Sequence, residues 1–60
     1  MTHIWTLYER AGTIKNLISS VIDNENNLKP EEKLEVLLDV KREAELLQKD
    51  LQDYIKRLMG

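Results

Sequence analysis

Few side chains in this sequence have the types and spacing that catalysis requires. The sequence has a single histidine, His3, and no cysteine, so the usual zinc ligand sets and a cysteine–histidine nucleophile pair cannot be formed. Ser19 and Ser20 have no histidine near them in the sequence, and Gly12 and Gly60 are too few and too far apart for a phosphate-binding loop. We therefore expect no enzyme activity, no metal and no cofactor.

One set of charged residues has a regular spacing. Arg42, Lys49 and Lys56 recur every seven residues, which places them in one line along a helix. Such a line is typical of a solvated helix face, and it is also one feature of a nucleic-acid-binding surface. Asp39 and Glu45 stand close to the basic residues, and this mixture of charges favours the solvated face.

The composition indicates a small helical domain that folds marginally on its own. The chain has 60 residues, a formal net charge of −2 and 42% hydrophobic residues. A chain this short forms one domain, residues 1–60, and such small domains depend on a disulfide, a metal or association. Without cysteine, association is the expected support. No apolar run is long enough to span a membrane, and we expect a cytoplasmic protein that does not bind membranes.

A first helix is predicted from about residue 4 to about residue 23. Its apolar residues alternate at intervals of three and four, which is the heptad pattern of packed helices. They are Ile4, Leu7, Ala11, Ile14, Ile18 and Val21. Thr2 could cap an early start, whereas Thr6 and Glu9 would form a capping box for a later one. The early start is favoured, because Ile4 is already in phase with the apolar stripe.

A turn is predicted over residues 24–29 and a second helix from about residue 30 to about residue 59. Asparagines interrupt the apolar pattern after Asp23, and asparagine favours helix ends and turns. Pro30 suits the first position of a helix, and the carboxylates of Glu31 and Glu32 suit its positive end. The stripe of the second helix keeps the heptad pattern throughout and consists of Leu37, Val40, Ala44, Leu47, Leu51, Tyr54 and Leu58.

Both stripes are wider than a two-helix seam requires. A short turn makes the two helices antiparallel, and a broad apolar face suits the interior of a bundle. We therefore predict an all-α hairpin that dimerises into a four-helix bundle. The residues predicted for the dimer core are Ile4, Leu7, Ala11, Ile14, Ile18, Val21, Leu37, Val40, Ala44, Leu47 and Leu51.

The second helix is longer than the first, so its end should project past the open end of the hairpin. Clustered apolar residues there indicate an interface, and aromatic residues often dominate binding energy. The residues predicted to bind a partner protein are Trp5, Tyr8, Tyr54, Ile55, Leu58 and Met59. The expected function is thus a non-catalytic protein–protein interaction module, such as an adaptor, inhibitor or regulator of the kind that phages and plasmids encode. It would act as a homodimer or add its helices to those of a partner.

Two other functions remain open from the sequence. In size and two-helix plan the chain is similar to the plasmid-borne RNA-binding four-helix bundles of the Rop type, although the two share no motif. That resemblance implies an RNA- or DNA-binding dimer that would use Arg42, Lys49 and Lys56. The acidic residues beside this basic line disfavour nucleic-acid binding. The second alternative is a structural subunit of a larger assembly.

Overall fold

The protein is a hairpin of two antiparallel helices. A computed structural model describes residues 3–60, in which α1 is Ile4–Asp23 (20 residues) and α2 is Pro30–Met59 (30 residues). The two helices pack against each other along a body of 48 × 16 × 14 Å. The bounds of both helices agree with the sequence prediction, and the all-helical hairpin is confirmed.

α1 begins early, as the phase of Ile4 indicates. His3 has an extended backbone, and its carbonyl accepts hydrogen bonds from the backbone N–H groups of Thr6 (2.9 Å) and Leu7 (3.4 Å). Thr6 and Glu9 therefore lie inside the helix and do not form its cap. The alternative cap, Thr2, lies outside the described residues.

Asn24 ends α1 through hydrogen bonds to the last turn of the helix. Its side-chain Nδ2 donates to the carbonyl of Ser20 at 2.9 Å, and its backbone N–H donates to the same carbonyl at 3.2 Å. The carbonyl of Asn24 then accepts from Asn27 and Leu28, each at 2.9 Å. Within residues 3–60, no residue other than Gly60 has a positive φ, so side-chain capping and not a left-handed residue stops the helix.

α2 begins at Pro30, although the residue before it is not a usual cap. The carboxylate of Glu32 accepts a hydrogen bond from the backbone N–H of Lys29 at 3.2 Å. This is the half of a capping box that the third helical residue supplies. Glu32 thus compensates for the absence of Ser, Thr or Asp at position 29.

The hairpin encloses only a thin core. Leu7, 8% exposed, is the one buried side chain among residues 3–60. The other apolar residues at the helix–helix contact are half-buried and follow the heptad spacing, at intervals of three, four or seven residues. They are Ile14, Leu17 and Val21 on α1, and Val36, Val40, Leu47 and Tyr54 on α2. A single line of contact between two helices leaves much of each apolar stripe uncovered.

Candidate interaction surface

An ion-pair cluster joins the two helices along one edge of their contact. The guanidinium of Arg10 donates from Nε to Asp50 at 2.5 Å and lies 3.7 Å from the carboxylate of Glu43. The three side chains are 32%, 20% and 26% exposed, in the order Arg10, Asp50, Glu43. Arg10 therefore lies between two acids that are seven residues apart on α2, and this contact fixes which levels of the helices face each other.

The cluster also shows which side of the hairpin is polar. Each of its residues follows a contact residue by three positions: Arg10 follows Leu7, and Asp50 follows Leu47. At about 100° per residue, a residue three positions on is rotated by roughly 60° in one sense, and a residue three positions back is rotated equally in the other. Since Arg10 and Asp50 meet on one side of the hairpin, residues that precede the contact residues lie on its opposite side.

That opposite side is apolar on both helices. Ile4 precedes Leu7 by three positions, and Leu37 precedes Val40 in the same way. The large apolar residues of this side are between 40% and 72% exposed. We call the set the apolar face: Ile4, Ala11, Ile18 and Ile22 on α1, and Leu37, Ala44, Leu51, Ile55 and Leu58 on α2. The hairpin thus has one ion-paired side and one uncovered apolar side.

The structure divides the residues that the sequence predicts for a dimer core into two groups. One group lies at the contact within the hairpin, buried or half-buried, and consists of Leu7, Ile14, Val21, Val40 and Leu47. The other group is exposed on the apolar face and consists of Ile4, Ala11, Ile18, Leu37, Ala44 and Leu51. Each helix therefore uses half of its heptad stripe inside the chain and leaves the other half open.

The open end of the hairpin carries a second apolar cluster. Trp5 and Tyr8 form an edge-to-face pair with ring centroids 5.7 Å apart and planes at 83°, and they are 69% and 71% exposed. With Ile4 they line a shallow depression. Leu58 and Met59, at the end of α2, are 72% and 83% exposed.

The remaining predicted partner residues differ in exposure. Ile55 is 44% exposed, and Tyr54 is half-buried beside the hairpin contact. Arg10 lies between Glu43 and Asp50, so it is level with about residues 46–47 of α2. Both helices rise 1.5 Å per residue and run antiparallel, so Ile4, six residues before Arg10, is level with about residue 53 of α2. Residues 55–59 therefore extend past the start of α1, and Tyr54 belongs to the contact within the chain.

The basic line lies on the outer side of α2, away from α1. Arg42, Lys49 and Lys56 are all exposed. The guanidinium of Arg42 donates to the carboxylate of Asp39 at 2.7 Å, one helical turn earlier. This pair neutralises one of the three positive charges, so the line is a weaker phosphate-binding surface than its spacing alone indicates.

Across residues 3–60, no three His, Cys, Asp or Glu side chains come together in a way that could hold a metal ion. In the same range, no buried side-chain nitrogen or oxygen lacks a hydrogen-bond partner. Neither helix, within its described residues, is both long and apolar enough to cross a membrane. The surface features of this part of the chain are the apolar face, the open-end cluster and the charged sides.

The ion-pair cluster was not predicted from the spacing of the apolar residues, but the charged residues beside the apolar stripes contain a signal for it. Glu43 and Asp50 are seven residues apart, and both stand three positions after a contact residue of α2. Arg10 has the same position relative to the stripe of α1. Opposite charges at equivalent positions of two antiparallel stripes predict a cross-helix ion pair.

In comparisons with protein-family models, curated proteins and solved structures, no match to this chain is found.

Proposed function

We propose that this protein is a non-catalytic protein–protein interaction module that works as a homodimer. Two hairpins would bring their apolar faces together and form a four-helix bundle. The observation that carries the proposal is the division of the hairpin into an ion-paired side, with Arg10, Glu43 and Asp50, and an uncovered apolar side. Exposed apolar surface that is continuous along two helices is typical of an interface.

A second copy of the chain carries the same apolar face. The same face on both copies gives an isologous contact, which is the commonest form of homodimer. A dimer would also provide the association that a chain of this length needs to be stable.

The open-end cluster is the proposed site for a different protein. Trp5 lies on the outer side of α1 and remains accessible when the apolar face is covered, whereas Tyr8, one residue after the contact residue Leu7, lies at the edge of that face. Aromatic side chains in a shallow depression are common anchors of protein interfaces. Met59 at the end of α2 would extend this surface, and Ile55 and Leu58, which belong to the apolar face, would border it. The module would thus dimerise through one surface and bind its partner at the open end.

Two measurements test these roles separately. Sedimentation equilibrium at micromolar concentration is expected to give the mass of a dimer, and a monomer with full helicity would contradict the proposal. Trp5→Ala is expected to leave the dimer mass unchanged, because Trp5 lies outside the apolar face. If the Trp5→Ala protein dissociates, Trp5 is part of the dimer core and not a partner-binding residue.

Nucleic-acid binding and a structural assembly role are the competing functions. Lys49 and Lys56 would stay exposed on the outside of a bundle, and a dimer would double the basic line. Retention of RNA or duplex DNA that weakens steeply with salt, and is lost in a Lys49→Glu, Lys56→Glu variant, would favour the first competitor. Masses well above that of a dimer in the same sedimentation experiment would favour the second.

A further inference from the structure

Part of the apolar face has a sequence pattern that reads the same in both directions along α2. It consists of Leu37, Ala44 and Leu51, spaced by seven residues, with the small residue in the middle; Leu58, seven residues further on, lies beyond this symmetric segment. Antiparallel packing of α2 on α2 of a second copy, centred on Ala44, would place Leu37 opposite Leu51 and Ala44 opposite itself. A two-fold contact needs this self-complementarity, since residue i must meet residue j and j must meet i.

A second line on α2 has the same centre. Leu34, Lys41, Gln48 and Ile55 are also spaced by seven and lie beside the first line, toward the outer edge of the apolar face. Reversal about the middle of this line pairs Leu34 with Ile55 and Lys41 with Gln48. Apolar residues thus meet apolar residues, and polar residues meet polar residues. The midpoint falls between residues 44 and 45, within one residue of the centre of the first line.

α1 repeats the pattern at nearly the same level. Ile4, Ala11 and Ile18 again have the small residue in the middle. Arg10 lies between Glu43 and Asp50, so the next residue, Ala11, is close to the level of Ala44. One axis that crosses the face at these two alanines would therefore serve both helices.

Two apolar faces can be stacked with the turns of the two copies at the same end or at opposite ends, and the charge distribution distinguishes these two arrangements. Residues 23–35, around the turn, contain five acids and two bases, whereas residues 46–60 contain two acids and three bases. With both turns at the same end, the two acidic regions would lie side by side, and Lys15 would face Lys41 of the second copy. With the turns at opposite ends, each acidic turn lies beside the mildly basic end of the other copy.

From these features we infer that the two-fold axis crosses the apolar face at Ala11 and Ala44, so that α1 packs on α1, α2 packs on α2 and the turns lie at opposite ends of the dimer. This inference rests on the proposed homodimer and specifies its geometry. The occupant of the apolar face is a second copy of the chain in this one orientation.

Single-cysteine variants test the orientation cleanly, because the chain has no cysteine of its own. Asn26→Cys places a spin label in the exposed turn of each copy. Pulsed electron paramagnetic resonance on the dimer should give a label separation of roughly 40 to 50 Å, from the rise of α2 at 1.5 Å per residue. Turns at the same end would give a separation under about 25 Å, since neighbouring helices pack 8–10 Å apart, and this result would overturn the inference.

Cross-linking provides an independent measurement. Ala44→Cys is expected to form a disulfide-linked dimer under mild oxidation, because each cysteine would lie next to its equivalent at the axis. Glu45→Cys, one residue along and on the outer side of α2, is the matched control and should not cross-link. Equal cross-linking of the two variants would contradict the placement of the axis. A monomeric mass for the unmodified protein would instead remove the homodimer itself, so the two failures are distinguishable.

Discussion

Truncation of Leu51 should weaken the dimer far more than truncation of Leu38 on the same helix. Leu51 is 43% exposed in the hairpin and lies on the apolar face, whereas Leu38 is 54% exposed and lies on the outer side of α2. Both are helical leucines, so Leu→Ala changes helix propensity equally at the two positions. The comparison therefore isolates the effect of the apolar face.

The expected magnitude follows from the area that remains to be buried. Complete burial of a leucine side chain is worth about 2–3 kcal/mol, so covering the exposed 43% of Leu51 contributes about 1 kcal/mol. A symmetric dimer contains the residue twice, which gives about 2 kcal/mol per dimer before any cavity cost. The dissociation constant of Leu51→Ala should therefore rise about thirtyfold. Leu38→Ala should leave it within about twofold, as for an ordinary surface substitution.

Sedimentation equilibrium over a hundredfold range of concentration measures both constants, and circular dichroism checks that each variant stays helical. If the two variants weaken the dimer equally, the apolar face is not the dimer contact. If Leu38→Ala has the larger effect, the outer side of α2 is the contact and the assignment of sides is wrong.

Three further substitutions test other parts of the hairpin. Leu7→Ala removes the one buried side chain among residues 3–60. It should lower the free energy of unfolding, measured by urea titration at fixed protein concentration, by about 2–3 kcal/mol. A loss below about 0.5 kcal/mol would show that the core is elsewhere. Arg10→Ala leaves Glu43 and Asp50 without their shared cation. It should lower the free energy of unfolding by about 1 kcal/mol at low salt, and this loss should shrink as NaCl is added. A loss that is independent of salt would contradict an electrostatic role. Gly12→Ala adds a methyl group that meets nothing within 4 Å in the hairpin, so thermal unfolding should show a gain of about 0.5–1 kcal/mol. A loss of stability on Gly12→Ala would indicate that another chain packs closely against Gly12.

The helices and their bounds follow from local sequence features. The heptad spacing predicts both helices, and the run of asparagines after Asp23 together with Pro30 predicts where one ends and the next begins. These signals act over a few residues, through backbone hydrogen bonds and restricted φ, so they do not depend on how the helices pack. The width of the stripes also indicated that the hairpin alone would leave apolar surface uncovered.

Which half of each stripe packs inside the chain was decided by tertiary structure. In a heptad both apolar positions are equally hydrophobic, so periodicity does not distinguish Leu7 and Ile14 from Ile4 and Ala11 as the contact line. The ion pairs of Arg10 with Asp50 and Glu43 accompany one choice of helix rotation, because they form only when those residues flank the contact on the same side. The sequence by itself determined two amphipathic helices with more apolar surface than a hairpin can cover. Only the packing of one helix on the other decided where that surplus lies, because it sets the rotation of both helices about their axes.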